Sequence, residues 1–248
     1  MPPESSGKAN FVAKSGKYCK YFKGMKADSP LKQLIRDVPP GTVIFRTDYP
    51  EYNAEFVGNV LSRLVSDGDI VRLSHGIYCR PQMSRFGAVM PGMAQIARSI
   101  ARRDGARILP AGVTALNELG LSDQVPMTST FLTDGCARRI RIGSRTLEFK
   151  RGVPRNFIYR TDLAACLVQA LKAIGKGQAG SVDLGRIAEL IEKEPNKDSF
   201  FSDLRLAPVW MRRLLMPIIR KYRKKAESPV TRHLMKAHSD GMRHQADS

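Results

Sequence analysis

The chain has 248 residues, with 41 Lys and Arg against 23 Asp and Glu, a formal charge of +18, and 42% apolar residues. That apolar share suffices for a packed core, and no run nears the roughly 18–20 apolar residues of a membrane span, so a membrane partner is excluded. Cys19, Cys79, Cys136 and Cys166 lie far apart with no CxxC pair, which excludes a zinc ribbon or disulfide scaffold and points to a reducing, cytoplasmic setting.

The charge divides the chain. Residues 1–28 carry a net +4, 29–83 a net 0, 84–195 a net +7, 196–226 a net +7, and 227–248 a net 0. A polyanionic partner is the first explanation for such an excess. In the opening segment Lys14, Lys17, Lys20, Lys23 and Lys26 recur every third residue, with Tyr18, Tyr21 and Phe22 between them. Residues 1–28 read as a disordered basic arm, although such an arm could track phosphates. Met25, just before the first regular element, is a candidate start.

Residues 29–83 read as a winged helix-turn-helix. Ser29 caps a helix with Pro30 at its first position and an apolar face of Leu31, Leu34, Ile35 and Val38. Pro39-Pro40-Gly41 ends it, Thr42–Phe45 reads as a strand, and a one- or two-turn helix is expected from Thr47. The next helix carries the clearest pattern in the chain. Phe56, Val57, Val60, Leu61, Leu64 and Val65 form one stripe, and Gly68 stops it. Its other face offers Glu55, Asn59, Ser62 and Ser66, with Arg63 on its flank, a polar surface with small hydrogen-bonding groups suited to base edges in a major groove. Two β-rich runs around Ser74-His75-Gly76 predict a hairpin wing, with Arg72, His75 and Arg80 as its DNA contacts. The neutral charge of this region leaves a protein-binding winged helix as the alternative.

Residues 84–195 read as a small α+β domain with a mostly antiparallel sheet. Helices are expected from Met93, over Val113–Leu119, from an Asp162 cap to Gly175, and around Ile187 and Ile191; strands are expected at Arg107–Leu109 and Thr128–Leu132. A hairpin turning at Gly143-Ser144 gathers Arg138, Arg139, Arg141 and Arg145 into a possible basic ribbon, with Ile140 and Ile142 inward. Residues 196–226 read as a basic helical extension opened by Pro208 and interrupted by Pro217, and 227–248 as a polar tail. The fold class is therefore α+β: an N-terminal winged helix-turn-helix, then a small α+β domain and a C-terminal helix.

Two blocks carry a family resemblance. Asn59–Tyr78, reading NVLSRLVSDGDIVRLSHGIY, is similar to the wing signature of AbiE-type antitoxins. Ile108–Pro126, reading ILPAGVTALNELGLSDQVP, and Phe131–Gly135 resemble that family's next block in order and spacing. The resemblance covers roughly residues 30–195 and leaves out both ends. It implies a bacterial, cytoplasmic antitoxin of a type IV toxin–antitoxin system, active in abortive phage infection. It further implies that the winged helix represses its own promoter at inverted repeats in double-stranded DNA, which would seat two copies. The C-terminal domain would counter a nucleotidyltransferase-like toxin, by direct contact or indirectly. The second expectation is a non-catalytic module that binds the toxin and only sticks to nucleic acid.

No HExxH or GxSxG motif is present, and Gly175–Ser181 lacks phosphate-loop spacing. Asp123 and Asp134 come without metal-ligand spacing, and His233, His238 and His244 sit in the polar tail. The expectation is a protein that is not an enzyme, with no cofactor and no metal.

Overall fold

The structure is a computed structural model and describes residues 29–226. The basic arm 1–28 and the tail 227–248 lie outside the described residues. The architecture is α+β. α1 (Pro30–Asp37), β1 (Val43–Phe45), a 3-10 turn (Arg46–Asp48), α2 (Ala54–Ser66), β2 (Val71–Ser74) and β3 (Ile77–Cys79) follow in order. The Ser29 hydroxyl accepts from the Lys32 amide at 3.3 Å, and Asn53 Oδ1 accepts from the Glu55 amide at 2.8 Å, so a side-chain oxygen caps each helix. Gly68 (φ +80°) ends α2 and Gly76 (φ +69°) turns the hairpin, both in the left-handed region that a Cβ disfavours. The helix expected from Thr47 is only the 3-10 turn, because Asp48 folds back to accept from the Phe45 amide at 2.8 Å.

β1, β3 and β2 pair antiparallel in that order. The apolar stripe of α2 packs against α1 and one face of this sheet in a cluster holding Leu31, Ile35, Ile44, Val57, Leu61, Leu64 and Ile70. A hairpin that the sequence pattern did not foretell follows: β4 (Gln82–Ser84) and β5 (Gly87–Val89) pair only with each other. The expected boundary between residues 83 and 84 falls inside it. α3 (Met93–Arg103) comes next.

The second sheet is formed by β6 (Ile108–Pro110), β7 (Thr128–Thr133), β8 (Arg138–Ile142) and β9 (Arg145–Arg151), in the order β6-β7-β9-β8. Two of its three pairings are antiparallel, and β7 with β9 is parallel. The two halves share a core. Val43, Phe45, Leu73 and Ile77 of the first sheet, Ile96, Ala97 and Ile100 of α3, and Phe131, Leu147 and Phe149 of the second sheet form one cluster. The separation into residues 29–83 and 84–195 is thus a division of sequence, not of packing.

A helical layer completes the molecule: α4 (Val113–Glu118), α5 (Asp162–Ile174), α6 (Leu184–Lys193), α7 (Lys197–Leu204) and α8 (Val209–Ala226). Residues 196–226 are no appendage. Phe200, Leu204, Met211, Leu215 and Ile218 are buried around α5 with Ala115, Leu167 and Leu171. α5 shows a continuous run of buried residues from Ala164 to Leu171, wider than a stripe, because helices cover it on several sides. Its cap is not Asp162, which is the first helical residue. Thr161 precedes it, and Asp203 from α7 accepts from the Arg160 and Thr161 amides at 2.8 Å and from the Thr161 hydroxyl at 2.9 Å. Pro217 does not break the last helix: α8 runs through it, with Pro217 exposed and Leu215 and Ile218 buried on either side.

Candidate nucleic-acid interface

The apolar stripe of α2 is spent on the core, so geometry alone turns the other face to solvent. Glu55, Asn59, Ser62, Arg63 and Ser66 are all exposed there. The Ser66 hydroxyl donates to the Ser62 carbonyl at 3.1 Å, which leaves Asn59, Ser62 and Arg63 as the freer groups. Arg63 makes no ion pair among the described residues, whereas Asp67, just past the helix, takes the Lys32 ammonium at 2.9 Å.

The tip of the β2–β3 hairpin lies near the start of this helix, joined to it through Arg46. A bulge between Arg72 and Ser74 shifts the β2–β3 register, and Leu73 enters the core while Arg72 stays exposed. Arg72 sits 3.3 Å from His75 Nδ1, and its Nε donates to the Ser74 carbonyl at 3.4 Å. The Arg46 amide donates to the Gly76 carbonyl at 3.2 Å, and the Arg46 guanidinium donates to the Ala54 carbonyl at 3.0 Å. A Cβ added at Gly58 would sit 3.9 Å from that guanidinium. Arg46 therefore bridges the β2–β3 turn and the first turn of α2. It was missed because it looks like the end of a short strand, and only the pairing of β1 with β3 brings it to the wing.

Arg80 belongs elsewhere. It lies at the root of the hairpin, and its guanidinium donates to the Val38 carbonyl at 2.5 Å, closing the end of α1. Arg80 thus sits apart from Arg72 and His75 at the hairpin tip.

The arginine hairpin also differs from its expectation. Its alternation is as expected: Arg139 and Arg141 are exposed, and Ile140 and Ile142 pack inward. Half of its arginines, however, are paired with carboxylates. Arg138 bonds Asp104, and Arg139 donates to Glu148 Oε1 from Nε at 2.7 Å. Lys150 also reaches Glu148, at 3.2 Å. Arg145 donates to the Pro126 carbonyl at 3.4 Å and is half-buried; Arg141 reaches only the Gly143 carbonyl of its own turn. The hydrogen bond from Arg139, helped by Lys150 and against some desolvation, holds the Glu148 carboxyl below the usual range. Arg107 does the same to Asp134, at 2.8 Å. The ribbon is only partly paired: Arg138 and Arg139 meet carboxylates, whereas Arg141 and Arg145 bond only backbone carbonyls and keep their charge.

A shallow cleft of about 420 Å³ separates α3 from β1, lined by Gln95, Arg98, Ser99, Arg102 and Arg103 opposite Thr42, Phe45 and Asp48. Arg103 stacks 4.5 Å over the Phe45 ring, and Arg98 pairs with Glu118 at 3.0 Å. Burial pushes the Cys79 and Cys166 thiols up to about 11 and about 12, and Glu118 adds to the second, so both stay protonated near neutrality. Among the described residues no group of three or more His, Cys, Asp and Glu could hold a metal, and no helix is long and apolar enough to cross a membrane.

The molecule is thus an α+β protein that exposes one sparsely charged polar helix face beside a β-hairpin tip. It belongs to the family described as a family of unknown function (DUF6088), whose pattern matches residues 30–199. No curated protein matches the chain. Among solved structures it is similar to the crystal structure of RV2827C protein from Mycobacterium tuberculosis. The two share 17% identity, with 75% of this chain and 79% of that chain covered and a TM-score of 0.37.

Proposed function

We propose that the chain is a sequence-specific DNA-binding protein whose α1–β3 region works as a winged helix, and that it represses the promoter of its own toxin–antitoxin operon. The observation that carries this reading is the joint presentation of Asn59, Ser62 and Arg63 on α2 with Arg46, Arg72 and His75 beside the helix. Short polar side chains on an exposed helix read base edges, and flanking arginines hold phosphates. The overall charge of +18 adds long-range attraction to any duplex. The antitoxin part of the reading, with a nucleotidyltransferase-like toxin as second partner, rests on the resemblance of residues 59–78 and 108–135 to AbiE-type antitoxins. In this reading the protein acts in the cytoplasm, without cofactor and without catalysis.

A second reading has a specific support. The α2 region is electrically neutral, and two of the four hairpin arginines, Arg138 and Arg139, are paired with carboxylates. Both features suit a surface for another protein, here the toxin.

Substitution at the base-facing and phosphate-facing positions separates the two. On DNA from upstream of the gene, Asn59→Ala should narrow the gap between native and shuffled sequence. Arg46→Ala and Arg72→Ala should weaken both sequences alike, each lowering the salt slope by about 1. If the Arg46→Ala, Arg72→Ala double variant keeps full affinity at moderate salt, DNA binding does not run through this face.

A further inference from the structure

Burial does not explain the β4–β5 hairpin. Gln82 pairs with Val89, Met83 with Ala88 and Ser84 with Gly87, leaving Arg85 and Phe86 as a two-residue tip. Every residue from Gln82 to Met90 is exposed, Met83 at 73% and Phe86 at 86%. The tip is nonetheless shaped. The Ser84 hydroxyl donates to the Gly87 carbonyl at 2.9 Å and accepts from the Phe86 amide at 3.2 Å, and the Arg85 guanidinium lies 4.7 Å above the Phe86 ring. A lone two-stranded ribbon with open faces is marginal in water, so an ordered one bearing Met83, Phe86 and Val89 suits a surface that something else covers.

Charge says what covers it. From Ile70 to Arg103 the sequence holds no Asp or Glu, and of its arginines Arg72, Arg80, Arg85 and Arg102 make no ion pair among the described residues, whereas Arg98 pairs with Glu118 and Arg103 with Asp104. The wing, this hairpin and α3 all lie in that stretch. A second copy of a chain carrying +18 would be repelled, whereas a polyanion would be drawn in. The hairpin is also placed to extend the interface. Gln82 and Met83 line one cleft with Arg36, Asp69, Arg80 and Gly68, the residue that ends α2, and Arg36 pairs with Asp69 there, so the base of the hairpin lies at the end of α2 away from Arg46 and the β2–β3 tip. α2 is 13 residues long, about 20 Å, or roughly six base pairs along a duplex.

We propose that the β4–β5 hairpin is a second DNA-contacting arm, entering the minor groove that flanks the α2 site. Arg85 enters the groove, and Phe86 lies against the sugars and base edges as an apolar wedge. Minor-groove binders combine these two chemistries, an Arg for the negative potential and an apolar side chain for the step it widens. This rests on the DNA-binding reading of α2 and the wing, and it adds a footprint wider than one major-groove helix gives.

Hydroxyl-radical footprinting tests it, since the radical attacks sugars from the minor groove. The full chain is bound to DNA from upstream of its gene and compared with Arg85→Ala and Phe86→Ala; both side chains are exposed, and unchanged melting curves verify the fold. The expected result is a core of protection with a minor-groove flank in the wild type. Each variant should lose the flank and keep the core, bind several-fold more weakly, and in the case of Arg85→Ala show a salt slope shallower by about 0.9. A wild type with a core but no flank, or variants that keep flank and affinity, would overturn the arm and leave the α2 reading standing. No protection at all in the wild type would overturn both. Sedimentation of a Met83→Ser, Phe86→Ser variant covers self-association: if it only turns a dimer into a monomer and leaves the footprint intact, the hairpin is a contact between copies.

Discussion

Replacing Asp203 with Ala removes the acceptor on which three donors converge. Asp203 and Thr161 are buried, at 2% and 8% exposure, and one carboxylate oxygen receives the Arg160 amide, the Thr161 amide and the Thr161 hydroxyl within 2.9 Å. The hydroxyl can rotate to another partner, so two backbone N–H groups lose their acceptor. A hydrogen bond to a charged group contributes about 1.5–3 kcal/mol, which puts the loss at roughly 3–4 kcal/mol after partial relaxation. Asp203→Asn keeps an acceptor but not the charge and should cost about half as much. In urea unfolding followed by circular dichroism, Asp203→Ala should lower the midpoint by about 1.5–2 M at unchanged slope, for a slope near 2 kcal/mol/M. The same variant should loosen α7 from the start of α5, which increases protease cutting near residues 194–208. An Asp203→Ala protein within about 0.5 kcal/mol of wild type, or one no weaker than Asp203→Asn, would show that this contact does not tie α7 to the body.

Further outcomes follow from the same packing. Phe131→Ala should cost about 3–5 kcal/mol, and because Phe131 shares a cluster with Val43 and Ile77, both halves should still melt in one transition when watched by two probes. Burial raises the Glu118 carboxyl against the pull of Arg98, and its Oε1 has no partner. A carboxyl raised in the fold weakens it above that pKa, so Glu118→Gln should be at least as stable as wild type at pH 7 in thermal melts, with the gap closing towards pH 4. Asp134 and Glu148 are held low by Arg107 and Arg139, and their contribution is present above the unfolded carboxyl pKa and lost as pH falls through the folded values. Acid titration of stability should therefore show a decline below about pH 4 that Glu148→Gln makes shallower.

The elements most legible in the sequence were those whose burial matches their period. The α2 stripe, the α3 face and the Gly143-Ser144 hairpin all appear within a residue or two of where the pattern put them, because each buries one side. The β4–β5 hairpin escaped because nothing in it alternates between buried and exposed. α7 escaped because it is short and its apolar residues, Phe200, Phe201 and Leu204, are too few to show a period, and its anchoring comes from Asp203 reaching α5 across the fold. The candidate interface divides in the same way. Asn59, Ser62 and Arg63 follow from helical phase alone, whereas Arg46 reaches the site, and Arg80 leaves it, only through the pairing of β3 with β1.

In the proposed function the polar face of α2 and the β2–β3 tip read a particular DNA sequence. The most direct test is a fluorescence-anisotropy titration of the full chain on the duplex just upstream of its gene, against a shuffled duplex of equal length, at 50 and 200 mM salt. The native duplex should bind tighter by about a thousandfold or more, and this ratio should persist at the higher salt while both affinities fall. Equal affinities that collapse together as salt rises would mean that the charge of +18 only holds polyanions, and would contradict it.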